Sequence, residues 1–194
     1  MKNLSSVYYI NAKKYTAVPE LGYRLQELIS QHPATDLPPV VLCIGTDRVT
    51  GDSLGPLVGT FLHAYGGDRY FPIYGTLDFP IHALNLEDAC RQIKKKHPRN
   101  LIIAVDASLG TKKHLGYISL GQGSLKPGAG VQKKLCSIGD IYITGIINTA
   151  IPEAQMALQN TRLSSVASLA CCIAQGILYA CNPSEMTAAS RSII

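Results

Sequence analysis

The sequence predicts a three-layer α/β domain, a mostly parallel sheet with helices on both faces, and three observations carry that reading. Val40–Ile44 and Leu101–Val105 are short, continuously apolar and largely β-branched, the pattern of strands buried on both faces. Stretches with apolar residues at helical spacing fall between such runs. Glycines and prolines punctuate the joins. Strands alternating with helices form crossover units, whose right-handed connections lay helices on either side of a parallel sheet.

Residues 1–18 are polar and rich in tyrosine, and Pro19 opens a helical pattern with Leu21, Leu25, Leu28 and Ile29 on one face. The pattern stops before Pro33, and the segment to Pro39 reads as a loop. The strand Val40–Ile44 ends at Gly45. A loop over 46–51 then leads to a helix from about Ser53 to Tyr65, with Leu54, Leu57, Val58, Phe61 and Leu62 apolar. The unit repeats as a strand over 69–76 and a helix over 82–97. A third buried strand, Leu101–Val105, follows. Further strands are expected over 115–121 and 140–147, separated by a Gly/Pro loop over 121–130. A helix from about Leu163 to Tyr179, rich in Ala, Leu, Ile and Cys, closes the fold, and the tail after Asn182 reads as frayed. No internal boundary or repeat interrupts the pattern, so residues 1–194 are read as one domain.

Apolar residues make up 46% of the 194-residue chain and charged residues 16%, a globular composition. The apolar runs are shorter than the ~20 residues a bilayer span needs, and the start of the chain lacks an apolar signal core, so neither membrane nor secretion is expected. The six cysteines, at 43, 90, 136, 171, 172 and 181, form no C-x-x-C pair and stand at no zinc-finger spacing. Buried thiols in the reducing cytoplasm are expected, with disulfides or a catalytic thiol as alternatives. The net charge of +5 is mild. Its densest patch, Arg91 to Arg99, ends a helix, where cations suit the dipole, so no nucleic-acid partner is expected. The apolar surplus of the last helix permits a homodimer.

In open α/β sheets, ligands bind beyond the carboxyl ends of the strands. Asp106 follows Leu101–Val105 directly, and Asp52 follows Val40–Ile44 by one short loop. If the first two strands and this one lie in the common 2-1-3 order, the two carboxylates face each other across the crevice. Two acids in one water-poor site push one pKa upward and yield an acid and a base together. Each also has a structural reading: Asp52 as a helix N-cap, Asp106 as the anchor of an Ala107–Gly110 turn.

The stretch from Ile44 to Pro56, Ile-Gly-Thr-Asp-Arg-Val-Thr-Gly-Asp-Ser-Leu-Gly-Pro, resembles the corresponding loop of the bacterial spore germination protease. More loosely it is similar to the hydrogenase maturation endopeptidases, and Val105-Asp106-Ala107 looks like the second acidic motif of both. With the segment from Gly75 to Leu84, the region from Val40 to Tyr179 resembles the YyaC-type spore protease family. The resemblance implies an atypical aspartic-type endopeptidase on a phosphorylase/hydrolase-like fold, with Asp52 and Asp106 catalytic. It places the protein in the cytoplasm of the sporulating cell or the spore interior, with a protein or peptide substrate, small spore proteins among them. Two departures stand out. Thr46 replaces the asparagine that follows the glycine in the germination protease, and no histidine follows His114, where the metal-binding endopeptidases place a ligand. Two carboxylates without a third strong ligand suit nickel or zinc poorly, so no metal and no cofactor is expected.

Other candidates for the crevice are Asp47 and Thr50 in the first loop, Asp78 and His82 after the second strand, and Asn148 and Thr149 after the last. Each has a plainer role open to it, as a turn former, cap or packed side chain. Gly121-Gln122-Gly123 lacks the third glycine of a dinucleotide fingerprint. The rival to a peptidase is a peptide- or ligand-binding regulatory protein on the same fold, without turnover.

Overall fold

The computed structural model describes residues 7–33, 36–127, 137–150 and 152–181. Six strands, β1 (Tyr8–Asn11), β2 (Val40–Cys43), β3 (Ile73–Tyr74), β4 (Ile102–Gly110), β5 (Tyr117–Gln122) and β6 (Ile141–Thr149), form one sheet in the order β1-β5-β6-β4-β2-β3. From β6 to β3 every neighbour is parallel. At the other end β5 runs against both β6 and β1. The sheet is therefore mixed, with a parallel block carrying the site, and β3-β2-β4 is the 2-1-3 order that brings the first and third buried strands together.

Strand alternation sorts the apolar residues into two cores. Val41, Cys43, Ile103, Val105, Ile141 and Ile143 face α1 (Ala17–Ser30), α2 (Leu54–Ala64) and α5 (Leu163–Cys181). Val40, Leu42, Ile44, Ile102 and Ala104 face α3 (Leu86–Lys96) through Leu86, Cys90 and Ile93. A short helix, α4 (Ala154–Gln159), follows β6. By length and composition α5 could cross a bilayer. In the fold it is a core helix, with Val166, Ala170, Ile173, Ala174 and Ile177 fully or almost fully buried.

Several elements differ from the sequence reading. The tyrosine-rich start contains β1, whose one buried residue, Ile10, is too little periodicity to announce a strand. The strand expected over 69–76 shrinks to Ile73–Tyr74, because the preceding 67–69 form a 3-10 turn. The helix expected from His82 begins at Leu86, since 82–85 form a turn closed by Asn85, whose Oδ1 accepts from the His82 N–H at 2.8 Å. The Ala107–Gly110 turn is instead strand: β4 continues to Gly110 along β6. The later part of the 121–130 loop, Cys136 and the tail from 182 lie outside the described residues. Cys43, Cys171, Cys172 and Cys181 are free thiols. Burial pushes Cys43 up strongly and Cys181 to about 12, so neither is a ready thiolate.

Candidate active site

Asp106 stands where two strands part. β2 pairs with β4 only as far as Cys43 opposite Val105, and the Ile44 N–H donates to the Val105 carbonyl at 2.7 Å before the chain turns away. β4 continues beside β6, with Asp106 opposite Thr144. The strand does not end at Asp106, as expected from its sequence; its partner does, and that opens the crevice. By alternation the Asp106 side chain shares the face of Ile102 and Ala104, the α3 side of the sheet. It is 5% exposed.

Asp52 reaches the same place from the other side of β2. It lies in a 3-10 turn, Gly51–Ser53, ahead of α2. Gly45 makes the approach possible: its φ is +143°, and a Cβ there would meet the Asp52 main-chain oxygen at 2.0 Å. The Thr46 N–H, 3.0 Å from that oxygen, also acts on the Asp52 carboxylate. The helix-cap reading of Asp52 fails, because the cap position of α2 belongs to Ser53 and carries no side-chain bond to the helix. The Ser53 hydroxyl donates to the Thr50 carbonyl at 2.6 Å, so Ser53 and Thr50 fix the turn.

The electrostatics join the two acids. Burial holds Asp106 well above the usual carboxylate range and the charge of Asp52 pushes it further, against the Ala107 N–H, 2.7 Å from its Oδ1. Burial also raises Asp52, while the Thr46 N–H and the nearby His82 ring pull it back. Asp52 is thus the easier of the two to ionise, and Asp106 the one that keeps its proton. His82 arrives on the segment that runs beside the end of β2, where the Gly45 N–H donates to the Ile81 carbonyl at 2.8 Å. Its Nδ1 accepts from the Leu84 N–H at 3.3 Å, which leaves Nε2 for a ligand.

The remaining candidates divide. Asp78 and His82 line a groove of about 820 Å³ between β3 and α3, adjoining the carboxylates through His82. Asp47 is exposed in its turn. Asn148 lines a different cavity, about 530 Å³, with Arg162 and Lys13. Its amide is committed to the Ala157 carbonyl at 2.9 Å and the Thr161 hydroxyl at 3.3 Å, so it anchors α4 to β6. Thr149 is the last residue of β6, opposite Gly110. Neither is brought to the acids by these contacts. Sequence reasoning passed over the hydroxyls beside Asp106. Thr144 Oγ1 is 2.7 Å from Ser119 Oγ and accepts from Ser108 Oγ at 3.1 Å, a buried polar ladder across three strands. A serine between Ile118 and Leu120 was the available signal. Among the described residues no three His, Cys, Asp or Glu side chains gather as a metal site.

The region matched by known proteins, residues 9–176, includes both acids and the groove. Uncharacterized protein YyaC of Bacillus subtilis (strain 168) is 47% identical over 156 residues, covering 79% of this chain and 76% of that protein. Neither that name nor the family's assigns an activity. Residues 9–176 match the family described as protein of unknown function (DUF1256), and the chain belongs to that family.

Proposed function

We propose that the chain is an endopeptidase that hydrolyses peptide bonds of a protein substrate with Asp52 and Asp106 as its working pair. The observation that carries this reading is a buried aspartate beside a second, less buried one whose charge it feels. Separated pKa values in one site divide the roles of acid and base. Asp52, ionised, takes a proton from water as its oxygen attacks the peptide carbonyl carbon. Asp106, protonated, donates to the carbonyl oxygen as negative charge develops there. When the C–N bond breaks, the proton held by Asp52 passes to the leaving amine, and Asp106 recovers its own. In keeping with the family resemblance, the substrate would be found in the cytoplasm of the sporulating cell or the spore interior, small spore proteins being the first to try.

The test is incubation of the protein with small spore proteins and a peptide library. Asp52→Asn and Asp106→Asn should each lower cleavage about 100-fold or more, the scale of lost acid/base catalysis, and the double variant should be no worse than either single. Activity should fall at low pH as Asp52 protonates and at high pH as Asp106 ionises, the acid limb shifted upward from the ordinary aspartate value and the alkaline limb well above it. Cleavage retained by both single variants would remove these residues from the mechanism. The second reading, a peptide- or ligand-binding regulatory protein, draws on the groove beside β3, which needs no chemistry to hold a ligand. It takes precedence if peptides bind and none is cut.

A further inference from the structure

We propose that the groove between β3 and α3 receives an extended, basic polypeptide segment, which adds to the edge of the sheet beside β3 and runs toward Asp52. The proposal rests on the peptidase reading for what the segment is, its substrate, yet binding is measurable apart from turnover. Three independent features of the groove support it.

The first is the edge itself. β3 ends the sheet. The Val41 N–H donates to the Pro72 carbonyl at 2.9 Å, so Pro72 faces β2, and by strand alternation the N–H and C=O of Ile73 face outward. Among the described residues no main-chain hydrogen bond from outside the sheet ends on Ile73. Unpaired edge groups of this kind are a template for another strand.

The second is shape. The groove holds about 820 Å³ and is walled by Tyr74, Pro80, Ile81 and Ile93, with Phe79 on its lining. Phe79, 81% exposed, offers an apolar ring to a bound side chain. Two of its lining residues reach toward the acids: the Ile81 carbonyl accepts from the Gly45 N–H at 2.8 Å, and the His82 ring acts electrostatically on the Asp52 carboxylate. A strand at ~3.3 Å per residue laid there would carry its chain from Ile73 toward the carboxylates.

The third is charge. On a chain of net charge +5, this groove is lined by Asp78 and Asp88. Asp88 is paired with Arg91, while Asp78 forms no ion pair among the described residues. The cation near the groove, Lys96, lies 6.0 Å from the Tyr74 ring, at the end of α3 opposite to Asp88. The end nearer the candidate site thus holds Asp78 as a carboxylate without an ion pair, beside the His63 and His82 rings, and a Lys or Arg side chain of the bound segment fits beside Asp78.

The experiment uses the full chain carrying Asp52→Asn, which keeps the groove and lacks the proposed base. Binding of three fluorescein-labelled decapeptides is followed by anisotropy: alternating Val and Thr with two Lys, the same peptide with Glu for Lys, and the Lys peptide with alternate amides N-methylated. The Lys peptide should bind, and the Glu peptide should bind about tenfold more weakly, equivalent to about 1.4 kcal/mol. N-methylation should abolish binding, and Phe79→Ala or Asp78→Lys should each weaken the Lys peptide about tenfold, with circular dichroism unchanged. Equal binding of the Lys and Glu peptides, undiminished binding after N-methylation, or no binding of any peptide overturns the proposal; none of these outcomes needs a substitution beyond Asp52→Asn. Binding that follows the expected pattern, with no cleavage by the wild type, sinks the peptidase reading and leaves the groove standing. Cleavage indifferent to Asp78 and Phe79 does the reverse.

Discussion

Asp106 carries a carboxyl group directly after four apolar strand residues, Ile102 to Val105, at 5% exposure. Its hydrogen bond from the Ala107 N–H is too little to keep it ionised against burial and the charge of Asp52. The consequence for stability has a definite sign. The folded-state pKa is raised, so between the unfolded value of about 4 and that higher value the folded chain binds the extra proton. Its stabilising contribution is complete below about pH 4 and is lost as pH rises through the folded pKa, at up to ~1.4 kcal/mol per pH unit. Asp106→Asn keeps an oxygen for the Ala107 N–H and removes the titration. Urea unfolding from pH 4 to 9 should therefore show the variant gaining on the wild type as pH rises. Parallel curves would mean that Asp106 is not held protonated.

At the scale of elements, the site depends on the loop between β2 and α2 doubling back on itself. Gly45 is at φ +143° with a backbone oxygen 2.0 Å from where a Cβ would stand, whereas Gly123, at φ +114°, has nothing within 4 Å. Gly45→Ala should cost at least ~2–3 kcal/mol and displace Asp52, while Gly123→Ala should cost only the backbone strain of about 1 kcal/mol. Chemical unfolding of the two variants separates them; equal losses would mean that close approach plays no part at Gly45. In the same layer as α2, α5 packs as a core helix. Ile173→Ala should cost about 2–5 kcal/mol in the same measurement, since Ile173 is fully buried. A loss under about 1 kcal/mol would contradict a core position there.

For the whole molecule, the parallel block β6-β4-β2-β3 presents one crevice, and what enters it decides the chemistry. It brings together Asp52 and Asp106 with His82 nearby, and among the described residues no three His, Cys, Asp or Glu side chains gather closely enough to hold a metal. Protein purified without chelators should carry no stoichiometric zinc or nickel by plasma mass spectrometry. One tightly bound metal per chain, lost in Asp106→Asn, would turn the mechanism toward a metal-activated water.

The sequence by itself determined the buried strands, because Val40–Ile44 and Leu101–Val105 are apolar throughout, largely β-branched and too short for a buried helix. It determined α1, α2, α3 and α5 to within a few residues, through periodicity and prolines. It also placed Asp106 directly after one buried run and Asp52 one short loop after the other, and the structure brings the two close enough for the charge of Asp52 to act on Asp106. The rest was decided by contacts between segments far apart in the chain. β1 exists because β5 supplies its hydrogen-bond partners, and β4 runs on to Gly110 because β6 lies beside it. Asn148 could face either the crevice or α4, and only the position of the Ala157 carbonyl chose α4. The proton on Asp106 is likewise a tertiary property: its cause is the burial of the group and the charge of a residue on another loop, neither of which is encoded near position 106.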